Sequence, residues 1–116
     1  MDYGLDAYPV DDDRGGLRSR EKIKILVCVL LRGIGTSVDR AVLQTALYEN
    51  GVANYFEVSQ AIDGLIKRGA LDVTEIGGTS LVAVTDAGRR VADVLEGDVS
   101  VYIREKALEA LKKAIA

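Results

Sequence analysis

Apolar positions along the chain fall into five stretches of helical spacing, interrupted once by a stretch of alternating period. The run "KIKILVCVLLRG" is apolar on almost every face and predicts a first helix over Ser19 to Leu31, ended by Gly33 or Gly35. In "GTSVDRAVLQTALYENG", Val38, Val42, Leu43, Ala46 and Leu47 keep helical spacing; Thr36 is the expected cap, Asp39 its capping-box partner, and Gly51 the end. "NYFEVSQAIDGLIKRG" restarts a helix with Asn54 as N-cap and Glu57 at the box position. At 100° per residue, Tyr55, Val58, Ile62, Leu65 and Ile66 share the arc expected to be buried. Phe56, Glu57, Gln60, Asp63, Gly64, Lys67 and Arg68 share the exposed one.

The period then changes. Leu71, Val73 and Glu75 alternate with Asp72 and Thr74, Gly77-Gly78 is a hairpin-turn signal, and "TSLVAV" returns as a second strand. Thr85 caps a fourth helix expected to turn Val91, Val94 and Leu95 inward, with Gly97 closing it. Ser100 caps a fifth, whose stripe is Val101, Leu108, Leu111 and Ile115, flanked by Ile103, Ala107 and Ala114. Three helices, a two-stranded hairpin and two further helices make a mainly α fold with a small β-hairpin (α+β). This is the plan of a winged helix-turn-helix with an additional C-terminal helix. The expected division is a tail over 1–18, a winged-helix domain over 19–97, and a C-terminal helix over 98–116 that serves as a dimerisation element.

Charge sharpens this division. Residues 1–13 hold five aspartates and no lysine or arginine, a net of −5. The remaining 103 residues hold all 15 basic and 13 acidic residues, a net of +2. An acidic tail therefore precedes a mildly basic body, and its lack of periodicity predicts mobility. Arg14, Arg18, Arg20, Lys22, Lys24 and Arg40 would form a basic patch if the first two helices bring them together, and the aspartates of the tail would then shield it or stay solvated.

Candidate chemistry is sparse. The chain has no histidine, which removes the commonest general base and metal ligand. Its single cysteine, Cys28, lies in an apolar run and reads as a small buried hydrophobe. The carboxylates form no pair with acid–base spacing, and the glycines lack the context of a phosphate-binding loop. The expectation is a non-enzymatic protein with no cofactor and no bound metal. With an acidic N-terminus and no apolar run near 18 residues, it is expected to be cytoplasmic and without membrane association.

Two steps carry a resemblance: Leu65, Gly69 and Leu71, then Thr85, Asp86, Gly88 and Arg89. In this order, around a hairpin, they resemble bacterial winged-helix regulators. With the Asn54-Tyr55-Phe56 opening and Lys22, Ile25 and Leu26 of the first helix, residues 20–105 are similar to an uncharacterised prokaryotic winged-helix family. The resemblance implies a DNA-binding transcriptional regulator, with the helix over about 55–68 in the major groove and the hairpin over 71–84 as the wing. Base contacts would come from Asn54, Glu57, Gln60 and Asp63, with Gln60 suited to adenine and Glu57 to cytosine. Lys67, Arg68 and Arg40 would hold phosphate, and Gly64 would let backbone approach closely.

Composition supplies the counter-argument. Glu57 and Asp63 offset Lys67 and Arg68, and the hairpin from Asp72 to Val84 has two acidic residues and no basic one. Phosphate neutralisation supplies most non-specific affinity. A protein-interaction module on the same fold is therefore the alternative, with Phe56 either stapling the helix start or meeting a partner. Homodimerisation through the apolar first helix and the last helix is expected in either case.

Overall fold

A computed structural model describes residues 15–116, so Arg14 and the acidic residues before it lie outside the described residues. Helix α1 (Arg20–Ile34) begins where Ser19 Oγ accepts the Lys22 N–H, and ends where Gly35 takes a left-handed conformation, φ 82°. Its Ile23, Ile25, Leu26, Val27, Cys28, Leu30 and Leu31 are all buried within the chain itself. The apolarity expected to demand a dimer partner is consumed by the other helices and the sheet, which pack around α1 on several sides.

A two-residue strand, β1 (Val38–Asp39), follows, and sequence patterning did not anticipate it. Two residues are too short to show alternation; the strand exists because Val38 and Asp39 pair with Val82 and Leu81 far along the chain. This extended step delays the next helix. Asp39, not Thr36, is the N-cap of α2 (Arg40–Glu49), accepting the Ala41 N–H. Helix α3 (Tyr55–Lys67) opens on Asn54, whose Oδ1 accepts the Glu57 N–H. Just before α1, Leu17 is buried and forms a parallel bridge to Ala53, its N–H donating to Val52 O, so ordered chain already runs along the α2–α3 turn ahead of Ser19.

Strands β2 (Leu71–Ile76) and β3 (Thr79–Val84) form the expected hairpin, paired from Leu71–Val84 to Ile76–Thr79. Gly77 and Gly78 both have positive φ, the signature of a type I′ turn that matches the twist of the strands. With β1 the sheet is three-stranded and antiparallel, in the order β1–β3–β2. Helix α4 (Asp86–Leu95), a 3₁₀ turn (Glu96–Asp98) and helix α5 (Val101–Ile115) complete the chain. The architecture is winged-helix-like α+β, with the extra C-terminal helix that the pattern predicted.

The two sequence steps of the resemblance meet in one place. Thr85 donates its hydroxyl to Gly69 O and its N–H to Ala70 O, while its Oγ1 accepts the Gly88 N–H. Helix α4 thus starts directly on the backbone that leaves α3. Only glycine allows this approach: a Cβ at Gly88 would stand 2.2 Å from Ala70 O and 2.5 Å from Val84 Cγ2. At the other end of α4, Arg32 donates to Asp93 and Glu96, each at 2.7 Å, and Arg104 reaches Glu96 at 3.6 Å. Hydrogen bonds to Glu96 first, and to Asp93, raise the Arg32 pKa above its ordinary value.

Several facing assignments differ from the sequence reading. In α3 the buried set is Val58, Ala61, Ile62 and Leu65; Tyr55 is 44% exposed, its ring edge-on to Tyr48 and bordering a groove beside the start of α2 and the hairpin. In α4, Gly88 and Ala92 are buried, while Val94 is 78% exposed and Leu95 also faces outward. The close seat at Gly88 turns the small residues inward; Val91 packs partly buried against the core as expected, while Val94 and Leu95 face out. In α5, Ile103, Ala107 and Leu111 face inward against α1 and α2, leaving Val101 and Ile115 exposed.

Gly88→Ala is expected to cost about 1–3 kcal/mol through overpacking against Ala70 and Val84. Gly97→Ala, where nothing stands within 4 Å, should stay within roughly 0.5 kcal/mol of the parent. Urea unfolding of both variants checks this pair. Burial pushes the Cys28 thiol up to about 11. Because that lies above the value of about 8.5 for a free thiol, thiolate forms more readily in the unfolded chain, and the contribution present below pH ~8.5 is lost towards pH 11. At pH 8, iodoacetamide should label Cys28 only in denaturant; labelling of the native protein at the rate of a free cysteine would contradict its burial.

Candidate nucleic-acid interface

The outward side of α3 is built by its two neighbours as much as by its own sequence. Helix α1 brings Arg20 to the start of α3, where Nε and Nη2 donate to Glu57 Oε1 at 3.1 and 2.8 Å. Helix α2 brings Arg40 to the middle of α3. Arg40 Nε donates to Gln44 Oε1 at 2.8 Å, and Nη2 donates to Ser59 O at 3.2 Å and Ser59 Oγ at 3.0 Å. Its Nη1 pairs with Asp63 at 2.8 Å. Glu57 and Asp63 are six residues apart, about 240° around the helix, so the two arginines flank α3 on different sides and do not gather into one basic patch.

These pairings revise most of the predicted site. Arg40, with its side chain only 20% exposed, is turned into the domain and ties α2 to α3; it does not stand free for phosphate. Asp63 is its partner, and Glu57 is held by Arg20 rather than reaching back to close a capping box. Asn54 spends its side-chain oxygen on the helix cap. Gly64 faces Lys24, whose Cε would lie 3.2 Å from an added Cβ, so it accommodates a neighbouring side chain instead of leaving an open surface. Gln60 is half-buried on the flank of α3. Lys67 and Arg68 are exposed at the end of the helix, and neither makes an ion pair within the described residues. Of the other basic residues near α1, Arg18 is exposed and Lys24 approaches Glu21 at 3.9 Å.

The offset drawn from sequence therefore runs between different partners. Glu57 and Asp63 are neutralised by Arg20 and Arg40, not by Lys67 and Arg68, which keep their charge for whatever approaches. The hairpin keeps its acidic character: Asp72 and Glu75 are exposed, Glu75 accepts from Ser80 Oγ at 2.6 Å, and Val73 and Ile76 face solvent beside them.

The α2–α3 turn carries an aromatic group of which the pattern placed only Phe56 on the exposed side. Tyr48 and Tyr55 are both exposed and pack edge-to-face, ring centres 6.0 Å apart, and Phe56 beside them is 62% exposed. The staple positions at the helix start are Ala53 and Val58, both buried, so Phe56 does not staple the turn. Only the tertiary approach of α2 and α3 reveals this grouping; each residue alone passes for a helix-face aromatic.

Residues 23–116 match the family described as Domain of unknown function (DUF4364). The chain belongs to this family. The DUF4364 match takes in all but the first turn of α1 and every later element, including the Gly69–Thr85–Gly88 junction and the paired face of α3. No curated protein and no solved structure matches the chain. Among the described residues no helix is long and apolar enough to cross a membrane, and no group of His, Cys, Asp and Glu is placed to hold a metal ion.

Arg40→Ala is expected to cost about 1–3 kcal/mol, since it leaves buried Gln44 without its hydrogen-bond donor. Asp63→Asn, at an exposed partner, should cost under about 1 kcal/mol. Equal losses in urea unfolding would show that the surface ion pair, rather than the bond to Gln44, anchors Arg40.

Proposed function

We propose that this protein is a DNA-binding transcriptional regulator of winged-helix type, with α3 in the major groove and the β2–β3 hairpin as the wing. The observation that carries the reading is the charge partition on α3. Its two carboxylates are satisfied from the flanks, so a phosphate backbone meets Lys67 and Arg68 as unopposed cations. Gln60 and the amide nitrogen of Asn54 are the neutral groups left for base edges. The acidic hairpin supplies no counterion release, so affinity rests on few phosphates and salt dependence is shallow for a DNA-binding protein. The reading includes a cytoplasmic location and a homodimer; with α1 consumed internally, its support is the exposed Val101, Tyr102 and Ile115 of α5.

A second reading, a protein-interaction module, is favoured by one specific observation, the exposed Tyr48, Tyr55 and Phe56 at the α2–α3 turn.

Anisotropy of a labelled random duplex, titrated at low and near-physiological salt, separates the two. Binding that weakens with salt is expected. Lys67→Ala with Arg68→Ala should lower the logarithmic salt slope by about 2. No binding at low salt would overturn the DNA reading in favour of a protein partner.

A further inference from the structure

Between the first turn of α2, the start of α3 and the hairpin tip lies a groove of about 380 Å³, lined by Asp39, Arg40, Ala41, Gln44, Tyr55 and residues 78–80. This volume falls within the range of small-ligand sites, roughly 300–1,000 Å³. At its base sits Gln44, only 5% exposed and the one buried polar side chain among the described residues. Arg40 Nε is a donor, so it fixes the Gln44 amide oxygen towards itself at 2.8 Å, and the amide nitrogen must point away. That nitrogen has no hydrogen-bond partner within the described residues. A buried, unpaired amide donor is costly, and here it belongs to a side chain that lines the groove, where an entering acceptor can satisfy it.

Other donors surround it. The Tyr55 and Thr79 hydroxyls border the groove and make no hydrogen bond within the described residues. The amino end of α2 adds its partial positive charge. Arg40 lies in the wall, though Asp63 offsets it, and Ser80 is committed to Glu75. Asp39 opposes an anion, with one carboxylate oxygen engaged by the Ala41 N–H. The Gln44 amide nitrogen and the two hydroxyls can all donate to one ligand, and the space exceeds a single small ion.

We infer that this groove binds a phosphate ester, with Gln44 Nε2 as the buried donor and the Tyr55 and Thr79 hydroxyls at its rim. Two sources share that chemistry: a phosphate of a DNA backbone, which rests on the DNA-binding reading, and a phosphorylated sugar free in solution, which does not. Because the donors are neutral, a backbone phosphate held here adds affinity without releasing counterions. Its loss weakens binding and leaves the salt slope unchanged.

The test is an NMR titration of the full chain with ribose 5-phosphate, ribose serving as control, followed by the random duplex. The Gln44 side-chain amide and the Gly78 and Thr79 backbone amides should shift saturably with the phosphorylated sugar, the duplex, or both, and not with ribose. Tyr55→Phe, which keeps the ring against Tyr48, should weaken the responding ligand about tenfold. Asp39→Asn, which still caps α2, should tighten it. A response to the sugar phosphate alone assigns a small-molecule site, even where the duplex fails to bind at all; a response to the duplex alone, with an unchanged salt slope in Tyr55→Phe, assigns a backbone phosphate. Shifts confined to Lys67 and Arg68, or none at Gln44 with either ligand, overturn the proposal. Gln44→Leu, checked for folding by thermal melting, should abolish the response of Gly78 and Thr79.

Discussion

The contact on which the domain depends is the seat of α4 on bare backbone. Thr85 takes both carbonyls that leave α3, Gly69 and Ala70, and Gly88 lets the next turn close over them. One threonine and one glycine thereby fix three things: the direction in which α3 ends, the base of the hairpin, and the line along which α4 packs on α1. The same constraint fixes which residues of α4 face inward. Once the bare backbone of Gly88 and the methyl of Ala92 are turned inward, Val94 faces solvent. The steps that make the chain look like a regulator are thus the joints of its frame, and they would be needed whatever that frame is used for.

The frame redistributes the charges of α3. Read along the sequence, α3 is a helix of balanced charge. In three dimensions its acidic residues belong to α1 and α2 through Arg20 and Arg40, and its own cations remain uncommitted. The hairpin stays acidic and the α2–α3 turn is aromatic, so the two ends of this surface suit different chemistry. Its uncommitted charge is confined to the end of α3, and the rest of the surface presents neutral or acidic groups.

What the sequence disclosed follows the range of the interactions involved. Asn54, Thr85, Ser100 and the Gly77-Gly78 turn act over three or four residues, and each stands where its local chemistry put it. Errors begin where the partner is distant. Val38 is a strand because of Val82, and that displaces the cap from Thr36 to Asp39. Tyr55 obeys the periodicity of α3, yet it meets the neighbouring Tyr48 and the edge of a groove instead of the core. Helix α1 was legible as core, yet whether a second chain covered it depended on how α5 folds back. The site was less legible than the fold for the same reason. Residue type identified Arg40 and Asp63 as candidates, but only their 2.8 Å pairing shows that they satisfy one another. Gln44 carried no signal at all, since an amide on an amphipathic helix has no special meaning until its surroundings close over it.

The I′ turn at Gly77-Gly78 has a consequence for how this family can diversify. The base of the hairpin is held by Thr85 and by β1, whose paired partners Leu81 and Val82 lie short of the Gly77-Gly78 turn. The distal part can therefore change length and charge without disturbing the packed helices, as exposed tips generally tolerate. That makes it an exchangeable cassette: a lysine-rich loop transplanted between Glu75 and Ser80 would recast the electrostatics of the whole face and remove the Thr79 hydroxyl from the groove, while leaving the scaffold's folding intact.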